Sequence, residues 1–310
     1  MSKETKIYQS NGKLLITGEY AVLDGANSLA IPTKYGQNLE ITPNDSNIIT
    51  WKSYNELNTI WYEDEFLIEN SLDALIIRAK TNNEISERLI QILHSIMSLN
   101  PEFLHLDQGY DVKTHQDFNR LWGLGTSSTL INNMADWGNV DAYKLLEKTF
   151  GGSGYDIACA QNNSAITFQL QKDKTPIVET VDFQPQFKQH LYFVYLNQKQ
   201  NSRDGIAAYK KLGNLNPEII IKINTITKKL ISSESLSEFN SLIELHETII
   251  SSLIQQEPIK LRLFRDFNGA IKSLGAWGGD FVLVTSAQDP TPYFKSKGLD
   301  IVIPYDHMIL

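Results

Sequence analysis

Residues 122–130 read WGLGTSSTL: Gly123 and Gly125 one residue apart, then a run of hydroxyl side chains and an apolar close. Such a stretch is either linker composition or a backbone shaped to hold an anion. The dinucleotide fingerprint G-x-G-x-x-G fails here, because its third glycine position holds Ser128. The Walker pattern G-x-x-x-x-G-K-[ST] occurs nowhere in the chain. What remains is a glycine turn opening a helix, where free backbone N–H groups and the helix dipole favour a phosphate. Ser127 or Ser128 could offer an oxygen to Mg²⁺, a hard cation that prefers oxygen ligands. Read alone, the same residues equally suit capping of the helix that follows.

Upstream of this stretch the chain reads mostly as strands. KLLITGEYAVL is β-patterned and broken by Gly18, SLAIPT and QNLEIT continue the pattern, and residues 48–68 read as a hairpin around Asn55 to Asn58. Ile85, Leu89, Ile92, Leu93 and Ile96 recur at helical spacing, and Asn100–Pro101 ends that helix. Downstream, TLINNMADW and NVDAYKLLEKTF read as helices, and a second glycine cluster follows at FGGSGYDIACA. AITFQL and HLYFVYLN read as strands. EIIIKINTITKKLI, LSEFNSLIELHETIISSLI and IKLRLFRDFNGAIKSL read as helices. A third glycine cluster, LGAWGGDFVLVT, runs into a strand, and LDIVIPY is the last. The expectation is an α+β protein of two lobes with a cleft between them.

The 310 residues suffice for a large core, with 42% hydrophobic and 21% charged residues as in soluble domains. A net charge of −8 argues against a broad nucleic-acid or anionic-membrane surface, and leaves room for a locally bound phosphate. Cys159 is the one cysteine, so a disulfide framework is excluded and a reducing compartment fits. No apolar signal region and no bilayer-length apolar run occur, which sets a cytoplasmic expectation. The six histidines show no metal-ligand spacing.

Three motifs in order carry a resemblance to a known family. NGKLLITGEYAVLDGA (11–26), RLWGLGTSSTL (120–130) and LGAWGGDFVL (274–283) resemble the three motifs of the galactokinase, homoserine kinase, mevalonate kinase and phosphomevalonate kinase family. GEYAVL, GSGYDIA and GAWGGDF look most similar to phosphomevalonate kinases, with mevalonate kinases nearly as close. The resemblance implies a ribosomal S5 domain 2-like N-terminal lobe over 1–180 and a ferredoxin-like C-terminal lobe over 181–310. The implied activity is ATP- and Mg²⁺-dependent phosphoryl transfer to a small anionic acceptor, in a monomer or homodimer that binds neither nucleic acid nor membrane.

Carried over residue by residue, the resemblance makes Gly123, Leu124, Gly125, Thr126, Ser127 and Ser128 the phosphate loop, with Ser127 the magnesium contact. Asp156 takes the place of the carboxylate that accepts the acceptor's proton. Lys13 takes that of the lysine that keeps this carboxylate ionised, since a nearby positive charge lowers an aspartate pKa. Glu19, Tyr20, Asp24, Gly275 and Ala276 fall where the family lines its acceptor pocket. Arg203, beside Ser202, falls where an arginine would bind an acid or phosphate.

The chain also departs from the family pattern. Asn11 replaces a proline, Trp122 precedes the glycines, and Trp277 stands for a glycine. Glu147 is near, but displaced from, the second magnesium ligand. With phosphomevalonate or mevalonate of the mevalonate pathway as the implied acceptor, three other readings stay open: diphosphomevalonate decarboxylase, a kinase-like protein with another small-molecule acceptor, and a non-catalytic sensor on a kinase scaffold.

Overall fold

Asn83 stands just before the apolar repeat of residues 85–96, and its side-chain oxygen accepts the N–H groups of Ile85 and Ser86. That cap starts a helix at Glu84 by satisfying two of its otherwise orphaned donors. Local rules of this kind account for most elements of the computed structural model. It describes residues 4–71, 74–199, 202–211, 213 and 215–310, with the backbone alone at 71, 74 and 202–204.

The first part of the chain forms β1 (Lys6–Leu15), β2 (Ser28–Asn44), β3 (Ile48–Tyr54), β4 (Ile60–Ser71), β5 (Ala74–Ala79) and α1 (Glu84–Leu99). β6 (Gly109–Gln116), α2 (Thr126–Gly138), α3 (Ala142–Thr149), α4 (Tyr155–Gln161), β7 (Ile166–Leu170) and β8 (Pro176–Thr180) follow. Next come β9 (Leu191–Tyr195), α5 (Ser202–Lys210), α6 (Pro217–Ile231), α7 (Leu236–Ile254) and α8 (Ile259–Leu263). The chain closes with β10 (Ile271–Ser273), β11 (Phe281–Thr285), α9 (Thr291–Ser296), β12 (Val302–Pro304) and α10 (Tyr305–Met308).

These elements form two compact units that interleave along the sequence. The first holds residues 1–12, 35–120 and 125–161. Its strands run in the order β5-β4-β3-β6-β2, antiparallel except for the β3–β6 pair. Alternation along β3 buries Ile49 and Trp51, and the facing residues Leu39, Phe66 and Val112 join them in one core. Leu89, Ile92, Leu93 and Ile96 of α1 and Ile131 and Met134 of α2 close that core from the helical side. The second unit holds residues 13–34, 121–124 and 162–310. There β10-β11-β9-β12 pair antiparallel, with Val194, Ile271, Val284, Phe264 and Phe294 in the core. In the same unit the opening of β2 pairs with β7, and β7 with β8.

One expected helix is not one. Of residues 259–274, only Ile259–Leu263 is helical, and Ile271–Ser273 pairs with Val282–Val284 as a strand. The apolar spacing there fits a short buried strand as well as a helix, and the backbone partner in β11 decides the matter. Gly269 allows the approach, because a Cβ there would lie 1.9 Å from the Thr285 carbonyl oxygen. Gly269→Ala is therefore expected to cost about 2 kcal/mol, as overpacking against rigid backbone does. A urea midpoint unchanged from wild type would contradict this.

Candidate functional site

The two glycines of residues 122–130 take the left-handed conformation, with φ of 71° at Gly123 and 98° at Gly125. Side chains resist that region, so the turn needs glycine at both places. Gly125 is the N-cap of α2, and Thr126, Ser127 and Ser128 form the first turn of the helix. In the first unit the hydroxyls there differ in their engagement. Gln116 Nε2 donates to Thr126 Oγ1 at 3.0 Å, Ser128 donates to the Gly125 carbonyl at 2.9 Å, and Thr129 to Gln37 Oε1 at 2.8 Å. Ser127 is exposed, and its hydroxyl makes no hydrogen bond among the described residues. Ser128 thus bonds back into its own turn, no side chain caps α2, and Ser127 faces outward.

In the second unit Lys13 grips the start of the same turn. Its backbone N–H donates to Leu124 O at 2.9 Å and its Nζ to Gly123 O at 3.0 Å. The Asp280 carboxylate lies directly over Gly123: a Cβ on that glycine would be 2.4 Å from it. Trp122, unexplained by the sequence, packs edge-on against Phe281 at 5.5 Å and tilted against Tyr195 at 6.4 Å. It anchors the chain just before the glycines.

Asp156 and Glu147 belong to the first unit. Asp156 opens α4, where its Oδ1 accepts the Ile157 N–H at 3.1 Å. Tyr143 of α3 is close to it: burial, and then the Asp156 charge, push that phenol up to about 12. Glu147 is exposed on α3. Helix α2 packs on both α3 and α4.

Among the residues expected in the acceptor pocket, Tyr20, Asp24 and Ala276 come together in the second unit. Tyr20 has φ 61°, donates its hydroxyl to Ala276 O at 2.7 Å, and stacks on Tyr209 with centroids 5.5 Å apart. The Tyr209 hydroxyl in turn donates to Asp24 Oδ2. Gly275, with φ 60°, begins the loop that carries Ala276. Arg203 falls in the segment whose side chains lie outside the described residues. Trp277 does not project toward these groups. Its ring is 1% exposed and packs with Ala21, Ala26, Ile223 and Ile250, so the bulk that replaces a glycine is absorbed by the core.

Glu19 differs from its expected role, because it lines no surface: it is fully buried. Lys272 Nζ donates to Glu19 Oε1 and to Ser273 O, the latter at 2.8 Å, and stands 4.0 Å from Glu247 Oε2. Glu247 accepts the Ser273 N–H with both oxygens at 3.1 Å and the Ser273 hydroxyl at 2.7 Å. His246 Nε2 accepts the Gly18 N–H at 2.9 Å, which assigns the ring proton to Nδ1, and Glu19 Oε2 lies 3.6 Å from that Nε2. Burial raises the Glu19 carboxyl to about 7 despite Lys272, raises Glu247 as well, and holds His246 well below its ordinary range. Sequence reading missed this cluster. A signal existed for half of it: His246 and Glu247 occupy apolar positions of the α7 repeat Phe239, Leu242, Ile243, Ile250.

The cluster carries a pH signature. The folded state keeps a proton on Glu19 between pH 4.5 and about 7 that the unfolded chain releases, so Glu19 favours folding below that window and loses this contribution as pH rises through it. His246 acts with the opposite sign, since it resists protonation when folded. Glu19→Gln isolates the first effect: its stability relative to wild type should rise from pH 4.5 to 7 and level off above. A difference independent of pH would refute the assignment.

No family model and no curated protein sequence matches the chain. Solved structures do. A protein from Listeria innocua is similar at TM-score 0.71 and 16% identity, over 97% of each chain. Streptococcus pneumoniae phosphomevalonate kinase, in complex with phosphomevalonate and AMPPNP, follows at TM-score 0.67 and 15% identity, over 94% of this chain and 95% of that one. L. major mevalonate kinase, in complex with R-mevalonate, gives TM-score 0.66 and 13% identity, over 96% and 92%. Identity this low speaks for the fold alone. The chain has the fold of the galactokinase, homoserine kinase, mevalonate kinase and phosphomevalonate kinase family.

Proposed function

We propose that the chain is an ATP-dependent small-molecule kinase whose phosphate loop is residues 123–128. The observation that carries the reading is the turn itself: two left-handed glycines opening α2, gripped by Lys13 through Gly123 and Leu124, with the Ser127 hydroxyl available. Backbone N–H groups at such a helix start favour a phosphate. Phosphoryl transfer asks the protein mainly to position and to balance charge, which suits a site of backbone donors, one lysine and one carboxylate.

In this reading the bound Mg²⁺–nucleotide supplies the phosphoryl group. Mg²⁺ keeps waters and phosphate oxygens as most of its ligands, so a single protein hydroxyl fits it, and Ser127 would provide that oxygen. Among the described residues no group of three or more His, Cys, Asp or Glu side chains could hold a metal without the nucleotide. Lys13 holds the loop and supplies positive charge. Asp156 orients the acceptor and takes its proton where the acceptor is a hydroxyl. Tyr20, Asp24 and the 275–276 loop lie on the acceptor side.

For the acceptor we infer a small anion of the mevalonate pathway, phosphomevalonate ahead of mevalonate. The motif likeness of GEYAVL, GSGYDIA and GAWGGDF supports this choice. With phosphomevalonate the nucleophile is already anionic, so Asp156 positions more than it deprotonates.

The test is ADP release from Mg-ATP with mevalonate, phosphomevalonate, diphosphomevalonate, homoserine and galactose in turn. Turnover confined to phosphomevalonate or mevalonate is expected. Carbon dioxide from diphosphomevalonate would identify a decarboxylase instead, and no turnover with ATP still bound would identify a sensor. With a hydroxyl acceptor, Asp156→Asn should lower kcat roughly a hundredfold or more with the fold intact. Near-wild-type turnover there would remove Asp156 from proton transfer.

A further inference from the structure

Gln116 buries an amide that its surroundings only half satisfy. It ends β6 directly opposite Gln37 of β2, and residues paired in this way point to the same face of a sheet. Both side chains are 3% exposed, and both reach the start of α2 within the first unit. The strand ends beside them are locked: the Gly36 N–H donates to Asp117 Oδ1 at 2.5 Å, and the Asp117 N–H to Gly36 O at 3.3 Å. The two glutamines play opposite parts. Gln37 Oε1 accepts the Thr129 proton at 2.8 Å, whereas Gln116 Nε2 donates to Thr126 Oγ1 at 3.0 Å. A hydroxyl has one proton to give, and Gln116 leaves that of Thr126 unspent. Among the described residues it meets no acceptor. Gln116 Oε1 is buried with no partner either, a cost that interiors normally avoid.

We propose that Gln116 is a positioning residue: it turns the Thr126 hydroxyl outward as a hydrogen-bond donor to a phosphate oxygen at the start of α2. The proposal rests on the reading of residues 123–128 as a nucleotide phosphate site. Free backbone N–H groups at such a helix start already favour an anion. A hydroxyl adds to them only when its proton, and not a lone pair, faces the ligand. Ser128 and Thr129 give their protons to Gly125 O and Gln37 Oε1. The amide N–H of Gln116 occupies a lone pair of Thr126 Oγ1 from inside, which sends the Thr126 proton the other way. Were the amide reversed, its oxygen would draw that proton inward, so the two orientations predict opposite effects of removing the amide.

The experiment is calorimetric titration of the full chain with Mg-ADP, with thermal unfolding of each variant alongside. Gln116→Met keeps the length of the side chain and removes the amide, and Thr126→Val keeps the shape and removes the hydroxyl. Gln116→Met should weaken Mg-ADP binding about fivefold, the worth of one oriented hydrogen bond. Thr126→Val should weaken it at least as much. Adding Gln116→Met to Thr126→Val should cost no further affinity, because the glutamine acts through the threonine. The unfolding temperature of Gln116→Met should equal or exceed that of wild type, since an unpaired oxygen leaves the interior with the amide. Unchanged or tighter binding in either single variant would overturn the proposal. So would a lowered unfolding temperature of Gln116→Met, or an undiminished loss in the Thr126→Val background, either of which assigns Gln116 to packing alone. If wild type does not bind Mg-ADP, the phosphate-site reading itself fails, and this inference with it.

Discussion

Lys272 is fully buried in the second unit, and its ammonium sits where the Gly18–Tyr20 turn, β10 and α7 meet. Taking such a charge out of water costs several kcal/mol unless partners answer it. Glu19 answers it directly, Ser273 O accepts another of its protons, and Glu247 stands behind. Removing one partner of such a cluster should be strongly destabilising, because the remaining charge would be buried alone. The benefit is definition of place. One ammonium ties the Gly18–Tyr20 turn to β10, while Ser273 and Gly18 tie the same two segments to α7 through Glu247 and His246.

With both carboxylates ionised the cluster would carry excess negative charge in a dry interior. Burial, which disfavours the charged carboxylate, raises Glu19 to about 7 against the pull of Lys272, and the Glu247 charge adds a little in the same direction. His246 stays neutral for the complementary reason: a second cation beside Lys272 would have to be desolvated too. The fixed turn then holds Tyr20 at a backbone angle that side chains avoid, and its hydroxyl reaches Ala276. Trp277, one residue on, also has a positive φ of 57°, and its ring is buried in the core. Its indole N–H makes no hydrogen bond there, a cost of about 1–3 kcal/mol set against a large apolar burial.

Legibility followed the range of the interactions. The helix after Asn83, the hairpin at 55–58 and the turn at 123–125 all rest on neighbours within a few residues, so residue types and spacing announced them. The strand at 271–273 did not announce itself, because its partner is β11 and its apolar spacing is ambiguous. Tyr209 could not be linked to Asp24, nor Trp122 to Phe281, by any local rule. Nor could the sequence place the Trp277 ring, which packs with Ala21, Ala26, Ile223 and Ile250 from distant parts of the chain.

Sequence by itself determined the α+β class, the order of the three glycine clusters, and the loop of 123–128 with Lys13 and Asp156 as the residues to examine. The class follows from hydrophobic period and the glycine clusters from backbone need, whereas Lys13 and Asp156 stood out only through the resemblance of the motifs to a known family. Tertiary structure alone decided that Glu19 is buried against Lys272, that Ser128 bonds back to Gly125 while Ser127 is exposed, and that Asp280 lies over Gly123. Each depends on groups far apart in the chain, and electrostatics and packing act on distance in space, which no spacing in the sequence records.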